Sequence, residues 1–126
     1  MDSIFIKGTK RTPEIMFKIN GFLSINGISI PEDANEFYRS TIEWLDKYEK
    51  LDPENINFKI NFVYMNTTST SIMLKILRKV AEVSKGKENL TIIWTYEEED
   101  IDMYEQGKVL ERLVGHPFRF EAKKTM

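Results

Sequence analysis

The fold is decided by residues 57–83, which read NFKINFVYMNTTSTSIMLKILRKVAEV. In the first part of this stretch apolar residues alternate with mostly polar ones, which is the period-two pattern of a strand with one buried face. The predicted inward positions are Phe58, Ile60, Phe62 and Tyr64. From residue 72 the apolar residues recur at intervals of three and four, which predicts an amphipathic helix over 72–83. A strand joined directly to such a helix is typical of α/β proteins.

The segment before this stretch predicts a hairpin. Residues 14–30 contain two β-rich runs on either side of Asn20-Gly21, a pair that favours a type I′ hairpin turn. We interpret a second pair, Asn26-Gly27, as a bulge or a sharp bend, because two hairpin tips would leave very short strands. Residues 4–6 are predicted to add an edge strand.

The remaining segments predict two more helices and two more strands. Asp33 and Glu36 have the spacing of a capping box, which predicts a helix over 34–50. Residues 90–95 form an apolar, β-branched run typical of a buried parallel strand. A helix is predicted over 103–114, although Gly107 disfavours it by about 1 kcal/mol relative to alanine. Residues 118–120 are predicted to form a last short strand.

Together these segments predict one α/β domain over residues 1–126, with a mixed β-sheet and about three helices joined by right-handed crossovers. We expect the large aromatic side chains to lie in the core or at its rim. These residues are Trp44, Tyr48, Tyr64, Trp94 and Tyr96.

The composition excludes many kinds of chemistry. Of 126 residues, 41% are hydrophobic and 30% are charged, which favours a folded core, and the net charge of −2 provides no positive field for nucleic acid or an anionic membrane. The chain has no cysteine and one histidine, His116, so disulfides, thiolate catalysis, cysteine-ligated zinc and multi-histidine metal sites are excluded. No segment has the pattern of a signal peptide or a membrane span, and we expect a cytoplasmic protein.

The densest polar cluster lies between the strand that ends at Tyr64 and the helix predicted to begin near Ile72. It consists of Asn66, Thr67, Thr68, Ser69, Thr70 and Ser71. In one interpretation, one or two of these side chains cap the helix and the others face water. In the other, the cluster is a phosphorylation switch on a partner-binding surface, because a helix N-terminus accommodates a phosphate and because phosphate adds about 1.5 to 2 negative charges at pH 7.

An acidic run follows the strand predicted at 90–95. Its carboxylates, which could hold Mg²⁺ or Ca²⁺, belong to Glu97, Glu98, Glu99, Asp100 and Asp102. The spacing of a calcium loop is missing, and such runs more often form a solvated loop or the first turn of a helix. A small metal-dependent phosphohydrolase remains the alternative that this run suggests. We expect His116 to lie in a loop or at a sheet edge rather than to act as a catalyst.

Three groups of residues resemble the SiaC family of bacterial regulatory phosphoproteins. The first is GFLSINGISIPED at 21–33, followed by Phe37-Tyr38, Trp44-Leu45 and Tyr48. The second is YMNTTS at 64–69, which resembles the phosphoacceptor segment of that family. The third is WTYEEED at 94–100, with Asp102-Met103 and Glu105-Gln106-Gly107 after it. The resemblance extends over nearly the whole chain.

The resemblance implies a fold like that of STAS-domain anti-sigma-factor antagonists, with no catalytic activity and no cofactor. It also implies a partner switch, in which a Ser/Thr protein kinase phosphorylates the protein and a PP2C-type phosphatase reverses this. The unmodified form then binds and activates an output protein. In the best-described systems of the family this output is a GGDEF diguanylate cyclase, which is stimulated to make cyclic di-GMP and so promotes aggregation or biofilm growth.

The resemblance also implies which residue accepts the phosphate. The acceptor threonine follows the asparagine, so Thr67 is predicted, with Thr68 and Ser69 as alternatives. This chain departs from the family pattern by having Thr68 in place of serine, Thr70-Ser71 in place of a Ser-Lys pair and Ser40 in place of a frequent proline. The partner-binding surface is predicted over 66–71. An alternative remains open in which the protein is a structural adaptor and its hydroxyls only cap a helix.

Overall fold

The computed structural model describes residues 1–124, which form a six-stranded sheet and three helices. The strands and helices are β1 (Ile4–Ile6), β2 (Glu14–Phe17), β3 (Phe22–Ser29), α1 (Ala34–Tyr48), β4 (Ile56–Met65), α2 (Thr67–Ser84), β5 (Leu90–Glu97), α3 (Ile101–Val114) and β6 (Phe118–Lys123). A short 3₁₀ turn, Glu49–Leu51, extends α1. The predicted α/β class with a mixed sheet and three helices is confirmed. None of the described helices has the length and apolar character needed to span a membrane.

The order of the strands in the sheet follows their order in the chain. Strands β1, β2 and β3 pair antiparallel, while β3, β4, β5 and β6 pair parallel. Each parallel connection contains one helix, and right-handed crossovers in one direction place α1, α2 and α3 on the same face of the sheet. The helices pack side by side, α1 against α2 and α2 against α3.

The core lies between the sheet and this helical layer. Along β4, Phe58, Ile60 and Phe62 are buried, while Asn57 and Lys59, which alternate with them, are exposed on the other face of the sheet. The apolar side chains of the helices close the core from above, because α1 and α2 each bury one stripe and expose the opposite one. The second face of the sheet is therefore open to solvent, and each helix presents an outer face.

The hairpin between β2 and β3 has a longer turn than the sequence predicted. The loop spans residues 18–21, in which the N–H of Gly21 donates to the Lys18 carbonyl at 3.0 Å and the N–H of Lys18 donates to the Phe22 carbonyl at 3.0 Å. The prediction of a type I′ turn centred on Asn20-Gly21 is therefore wrong, although the hairpin itself is confirmed. Gly21 has a φ of +101°, and a Cβ at this position would collide with the Asn55 carbonyl oxygen.

A bulge lies beside Asn26-Gly27, where a bulge or a sharp bend was predicted, but the register shifts between Gly27 and Ile28 and the extra residue is on β4. Gly27 pairs with Phe62 and Ile28 pairs with Tyr64, so Val63 is an extra residue on β4. The alternation then shifts by one position: Met65 is buried, while Val63 and Tyr64 are 60% and 55% exposed. The prediction that Tyr64 lies in the core is wrong for this reason.

The other element boundaries differ by a few residues. Asp33 caps α1, because its Oδ1 accepts the N–H of Glu36 at 3.1 Å, and the helix ends at Tyr48 rather than at residue 50. Helix α3 begins two residues before the predicted start, at Ile101, and β6 continues to Lys123 instead of ending at residue 120. The predicted edge strand at residues 4–6 is confirmed as β1.

Candidate functional site

The first turn of α2 lies directly after β4. The side chain of Asn66 caps this helix, with Oδ1 accepting the N–H of Ser69 at 2.9 Å. The Asn66 carbonyl accepts the N–H of Thr70 at 3.0 Å and the Thr70 hydroxyl at 3.1 Å. Helix α2 therefore begins at Thr67, and the predicted start near Ile72 is wrong because an asparagine N-cap starts the helix early. The hydroxyl cluster forms the first turn of the helix rather than a loop before it.

Two hydroxyls of this turn lie on the surface. Thr67 and Thr68 are the first two residues of the 18-residue helix, and both side chains are exposed. Within residues 1–124 neither hydroxyl has a hydrogen-bond partner. The first turn of a helix also has N–H groups that the helix itself does not satisfy, and its dipole favours negative charge. Both threonines therefore offer an accessible hydroxyl where an added phosphate is electrostatically favourable.

Ser69 is in a different environment from its neighbours. It is fully buried, and its Oγ donates to the Ser29 carbonyl at 3.0 Å while it accepts the Ser29 hydroxyl at 2.7 Å. A kinase or a partner cannot reach this hydroxyl in the folded protein. The burial of Ser69 therefore argues against the predictions that it is an alternative acceptor and that it contacts a partner. Its position on the helix turns its side chain toward β3.

Three buried hydroxyls connect α2 with β3 and α1, and we call this series the hydroxyl chain. The Tyr38 hydroxyl lies 2.6 Å from Ser29 Oγ, and because Ser29 donates to Ser69, Tyr38 is the donor in this contact. All three residues are fully buried. Burial raises the pKa of Tyr38 to about 12, although the hydrogen bond with Ser29 lowers it. The hydroxyl chain fixes the first turn of α2 against two other elements.

The sequence alone did not identify Ser29 and Tyr38 as parts of this site. Ser29 is the last residue of β3, and the backbone N–H of Asn66 also donates to its carbonyl at 3.0 Å. Tyr38 lies on the buried stripe of α1, where its hydroxyl required a partner. The one signal in the sequence was a tyrosine on the buried stripe of a helix together with a serine at the end of a strand. That the two side chains meet follows only once the order of the strands is known.

The surface around Thr67 combines small hydroxyls with apolar side chains. Val63 and Tyr64 are exposed just before the cap, and Ser71 is exposed one turn after Thr67. Thr70 is half-buried and forms one wall of an open groove of about 470 Å³ between α2 and α3. The rest of this groove is lined by Ile101, Asp102, Glu105, Gln106 and Val109. Of the residues predicted at 66–71, the structure therefore brings all but Ser69 to one surface.

The acidic run has a structural explanation in the start of α3. Asp100 caps this helix, with Oδ1 accepting the N–H of Met103 at 3.1 Å, and Asp102 lies in the first turn. Among residues 1–124 no three Asp, Glu or His side chains come together as metal ligands. His116 lies in the loop before β6, where its Nε2 is 3.1 Å from the Leu90 carbonyl oxygen. The geometry gives no support to the alternative of a metal-dependent phosphohydrolase.

Comparison with known proteins finds a family and solved structures that this chain resembles over most of its length. The family model described as SiaC family regulatory phosphoprotein matches residues 6–123. An uncharacterized protein of Pseudomonas aeruginosa (strain UCBPP-PA14) is 26% identical over 123 residues, covering 97% of this chain and 98% of that protein.

Two crystal structures are also similar. Apo-SiaC from Pseudomonas aeruginosa superimposes with a TM-score of 0.86 at 27% identity, covering 97% of this chain and 100% of that one. The second structure contains the diguanylate cyclase SiaD in complex with its activator SiaC, also from P. aeruginosa. The match to this structure has a TM-score of 0.85 at 26% identity and covers 95% of this chain and 99% of that one.

Proposed function

Because the chain belongs to the SiaC family of regulatory phosphoproteins, we propose that it is a partner-switch regulator whose unphosphorylated form binds and activates a diguanylate cyclase. The similar SiaC of P. aeruginosa is the activator of the cyclase SiaD, with which it forms a complex. In this proposal the chain is not itself an enzyme, and the chemistry belongs to its partner. A Ser/Thr kinase and a PP2C-type phosphatase set its state in the cytoplasm, where ATP is available.

The observation that carries this proposal is the exposed Thr67 hydroxyl at the first position of α2. Asn66 fixes the start of the helix and Thr67 follows it directly, with an accessible hydroxyl that has no partner among the described residues. A phosphate there meets the positive end of the helix dipole, which is worth about 0.3 to 1 kcal/mol at an exposed site. The modification is therefore compatible with the folded state of the protein.

The phosphate acts instead on the partner. It adds about 1.5 to 2 negative charges and three acceptor oxygens to a surface of small hydroxyls and exposed apolar side chains, Val63 and Tyr64 among them. A partner that fits this surface has to desolvate the phosphate and make room for it. Binding is then lost without any refolding of the regulator.

The acceptor is tested by incubation with ATP and the kinase of the same partner-switch system, followed by intact-mass measurement. We expect one phosphate on the wild type and on Thr68→Ala, and none on Thr67→Ala. Incorporation into Thr67→Ala with loss in Thr68→Ala would move the acceptor to Thr68, which is equally exposed. If no species is ever modified, the adaptor interpretation replaces the switch.

The output is tested by measuring cyclic di-GMP production by the cyclase that co-purifies with the chain. We expect stimulation by the unmodified protein and by Thr67→Ala, and little by the phosphorylated protein. Thr67→Glu imitates the phosphate incompletely because it supplies one charge rather than nearly two, so an intermediate effect is expected. Equal stimulation by the phosphorylated and bare forms would refute the proposed direction of the switch.

A further inference from the structure

Strand β6 forms an open edge of the sheet. Within residues 1–124 it pairs with β5 and with no other strand. The opposite edge strand, β1, is only three residues long, whereas β6 has six residues, with no proline and no shift of register against β5. Natural sheets often protect an edge by shortness, by proline or by a bulge. None of these three devices is present in β6, so its outer side is accessible to another strand.

The hydrogen bonds of β6 indicate which of its backbone groups face outward. The Lys123 carbonyl accepts a hydrogen bond from the loop after β5 and therefore faces β5. The N–H and C=O of one residue point to the same side of a strand, and successive residues alternate. Phe118, Phe120 and Ala122 therefore direct these groups away from β5. The N–H of Phe118 donates to Glu111 Oε2 at 2.8 Å, so a partner strand would use the N–H groups of Phe120 and Ala122.

The side chains of β6 are self-complementary about Phe120. The Phe120 ring lies on the helical side of the sheet, with Lys108 Nζ 4.8 Å from its centroid. Its neighbours Arg119 and Glu121 therefore point to the open face, where their side chains are 63% and 44% exposed. Within one chain their charged atoms approach only to 4.0 Å. An antiparallel second copy of β6 that places Phe120 opposite Phe120 would put each Arg119 opposite a Glu121.

We propose that β6 pairs in this way with β6 of a second copy of the chain, with the two-fold axis at Phe120. The two Phe120 residues exchange backbone hydrogen bonds, and the N–H of each Ala122 donates to the Phe118 carbonyl of the other copy. Arg119 and Glu121 meet at non-hydrogen-bonded positions, where the Cα atoms are about 4.5 Å apart and the side chains are closest. The two six-stranded sheets then form one continuous sheet.

The charges on β6 also select this register. A shift of one residue would place outward backbone groups opposite inward ones, so only shifts by two residues retain the hydrogen bonds. A shift by two in one direction places Arg119 opposite Arg119, and a shift by two in the other direction places Glu121 opposite Glu121. Like charges directly opposite each other destabilise a strand pair. The register with Phe120 opposite Phe120 is therefore the one in which hydrogen bonds and charges agree.

Helix α3 is compatible with this pairing. It contacts β5, because Trp94 Nε1 donates to the Met103 carbonyl at 3.0 Å, and it contacts β6, because the rings of Tyr104 and Phe120 are 5.3 Å apart. Since α3 lies above these two strands, the two α3 helices of the pair would be about two strand spacings apart, roughly 9.6 Å. This is a normal distance between packed helices, which is about 8 to 10 Å. The second copy therefore adds a helix contact to the strand contact.

The proposal is tested by sedimentation velocity over about 5 to 500 μM chain, because an interface of one strand and one helix is small and should give a weak, reversible dimer. Arg119→Glu alone and Glu121→Arg alone each place like charges opposite each other, and each should weaken dimerisation about tenfold or more. An equimolar mixture of these two variants should dimerise again, because each heterodimer places glutamates opposite arginines. Lys59→Glu, on the open face, changes the net charge as Arg119→Glu does and should leave the dimer unchanged.

A wild type that stays monomeric over this range would overturn the proposal, as would full dimerisation of either single variant or a mixture that stays monomeric. A mixed dimer of isotope-labelled and unlabelled wild type identifies the paired strand. We expect an intermolecular nuclear Overhauser effect between Hα of Arg119 and Hα of Glu121, and a dimer without it would associate through another surface and refute the pairing. The test uses neither phosphate nor cyclase, so its outcome is independent of the proposed function.

Discussion

Removal of the Tyr38 hydroxyl tests the hydroxyl chain and gives a result that depends on pH. Tyr38→Phe keeps the ring, which packs edge-on against Phe37 with centroids 4.8 Å apart. It deletes the 2.6 Å hydrogen bond to Ser29, and both partners are fully buried. At pH 7 we expect the free energy of unfolding to fall by about 1 to 2 kcal/mol, the usual cost of losing one buried hydrogen bond.

At high pH the sign of the difference changes. Burial raises the pKa of Tyr38 from 10.0 to about 12, so the folded state favours the neutral phenol. The stability that this shift represents is complete below pH 10 and is lost as the pH rises through 12, because the unfolded chain ionises first. At about 1.4 kcal/mol for each pH unit, the wild type loses about 1.4 kcal/mol by pH 11 and about 2.7 kcal/mol above pH 12. The Tyr38→Phe variant has no such loss at this position.

The assay is urea unfolding of both proteins at pH 7, 10, 11 and 11.5. We expect the wild type to be more stable at pH 7 and the two proteins to become equal near pH 11 to 12. Burial also raises the pKa of Tyr48, but Tyr48 is present in both proteins and cancels from the difference. Tyr64→Phe is the control, because Tyr64 is 55% exposed and its removal should have little effect at any pH. A stability difference between wild type and Tyr38→Phe that is constant from pH 7 to 11.5 would refute the reasoning.

Three further substitutions test the placement of individual residues. Gly107→Ala should lower the free energy of unfolding by about 1 to 3 kcal/mol and alter the near-UV circular dichroism of Trp94. A Cβ at position 107 would lie 2.5 Å from Trp94 Nε1, and the cost of this overpacking exceeds the gain of about 1 kcal/mol in helix propensity. Asn66→Ala should cost about 0.5 to 2 kcal/mol and speed amide exchange in the first turn of α2, whereas Asn66→Asp should retain the cap. Gly21→Ala should cost more than Gly86→Ala in thermal unfolding, because both have positive φ but only a Cβ at Gly21 meets backbone, the carbonyl of Asn55.

The element order could be predicted from the sequence because it depends on local periodicity. Along β4 the alternation predicted the buried face correctly as far as Phe62. It was wrong at Tyr64 because the bulge depends on how β3 pairs with β4, and pairing is a property of two distant segments. The hairpin turn was wrong for a related reason. A dipeptide such as Asn20-Gly21 favours one turn type, but in the structure the Gly21 N–H donates to the Lys18 carbonyl and the Gly21 carbonyl accepts the N–H of Asn57 on β4, so the turn begins two residues earlier.

The candidate site could be placed along the chain but not divided into exposed and buried parts. Locally, Thr67, Thr68 and Ser69 are three neighbouring small hydroxyls with similar capping preferences. Their separation comes from Ser29, which is 40 residues from Ser69 in the chain and meets it only when β3 pairs with β4. The local sequence pattern of residues 66–71 does not include β3. It therefore does not distinguish a hydroxyl that anchors the helix from one that faces solvent.

The difference between the buried hydroxyl of Ser69 and the exposed hydroxyl of Thr67 determines how a phosphate at Thr67 can act. If the first turn of α2 frayed, Ser69 would leave Ser29, and buried donors and acceptors of the hydroxyl chain would lose their partners. Each unsatisfied buried group costs about 1 to 3 kcal/mol, and a phosphate at the N-terminus of α2 adds about 0.3 to 1 kcal/mol in favour of the folded turn. The turn therefore stays folded in both states of Thr67. A partner then distinguishes the two states of Thr67 by the charge on this surface. Amide exchange in α2 should therefore be nearly the same with and without the phosphate. Faster exchange at Ser69 in the phosphorylated protein would show that the switch works by refolding instead.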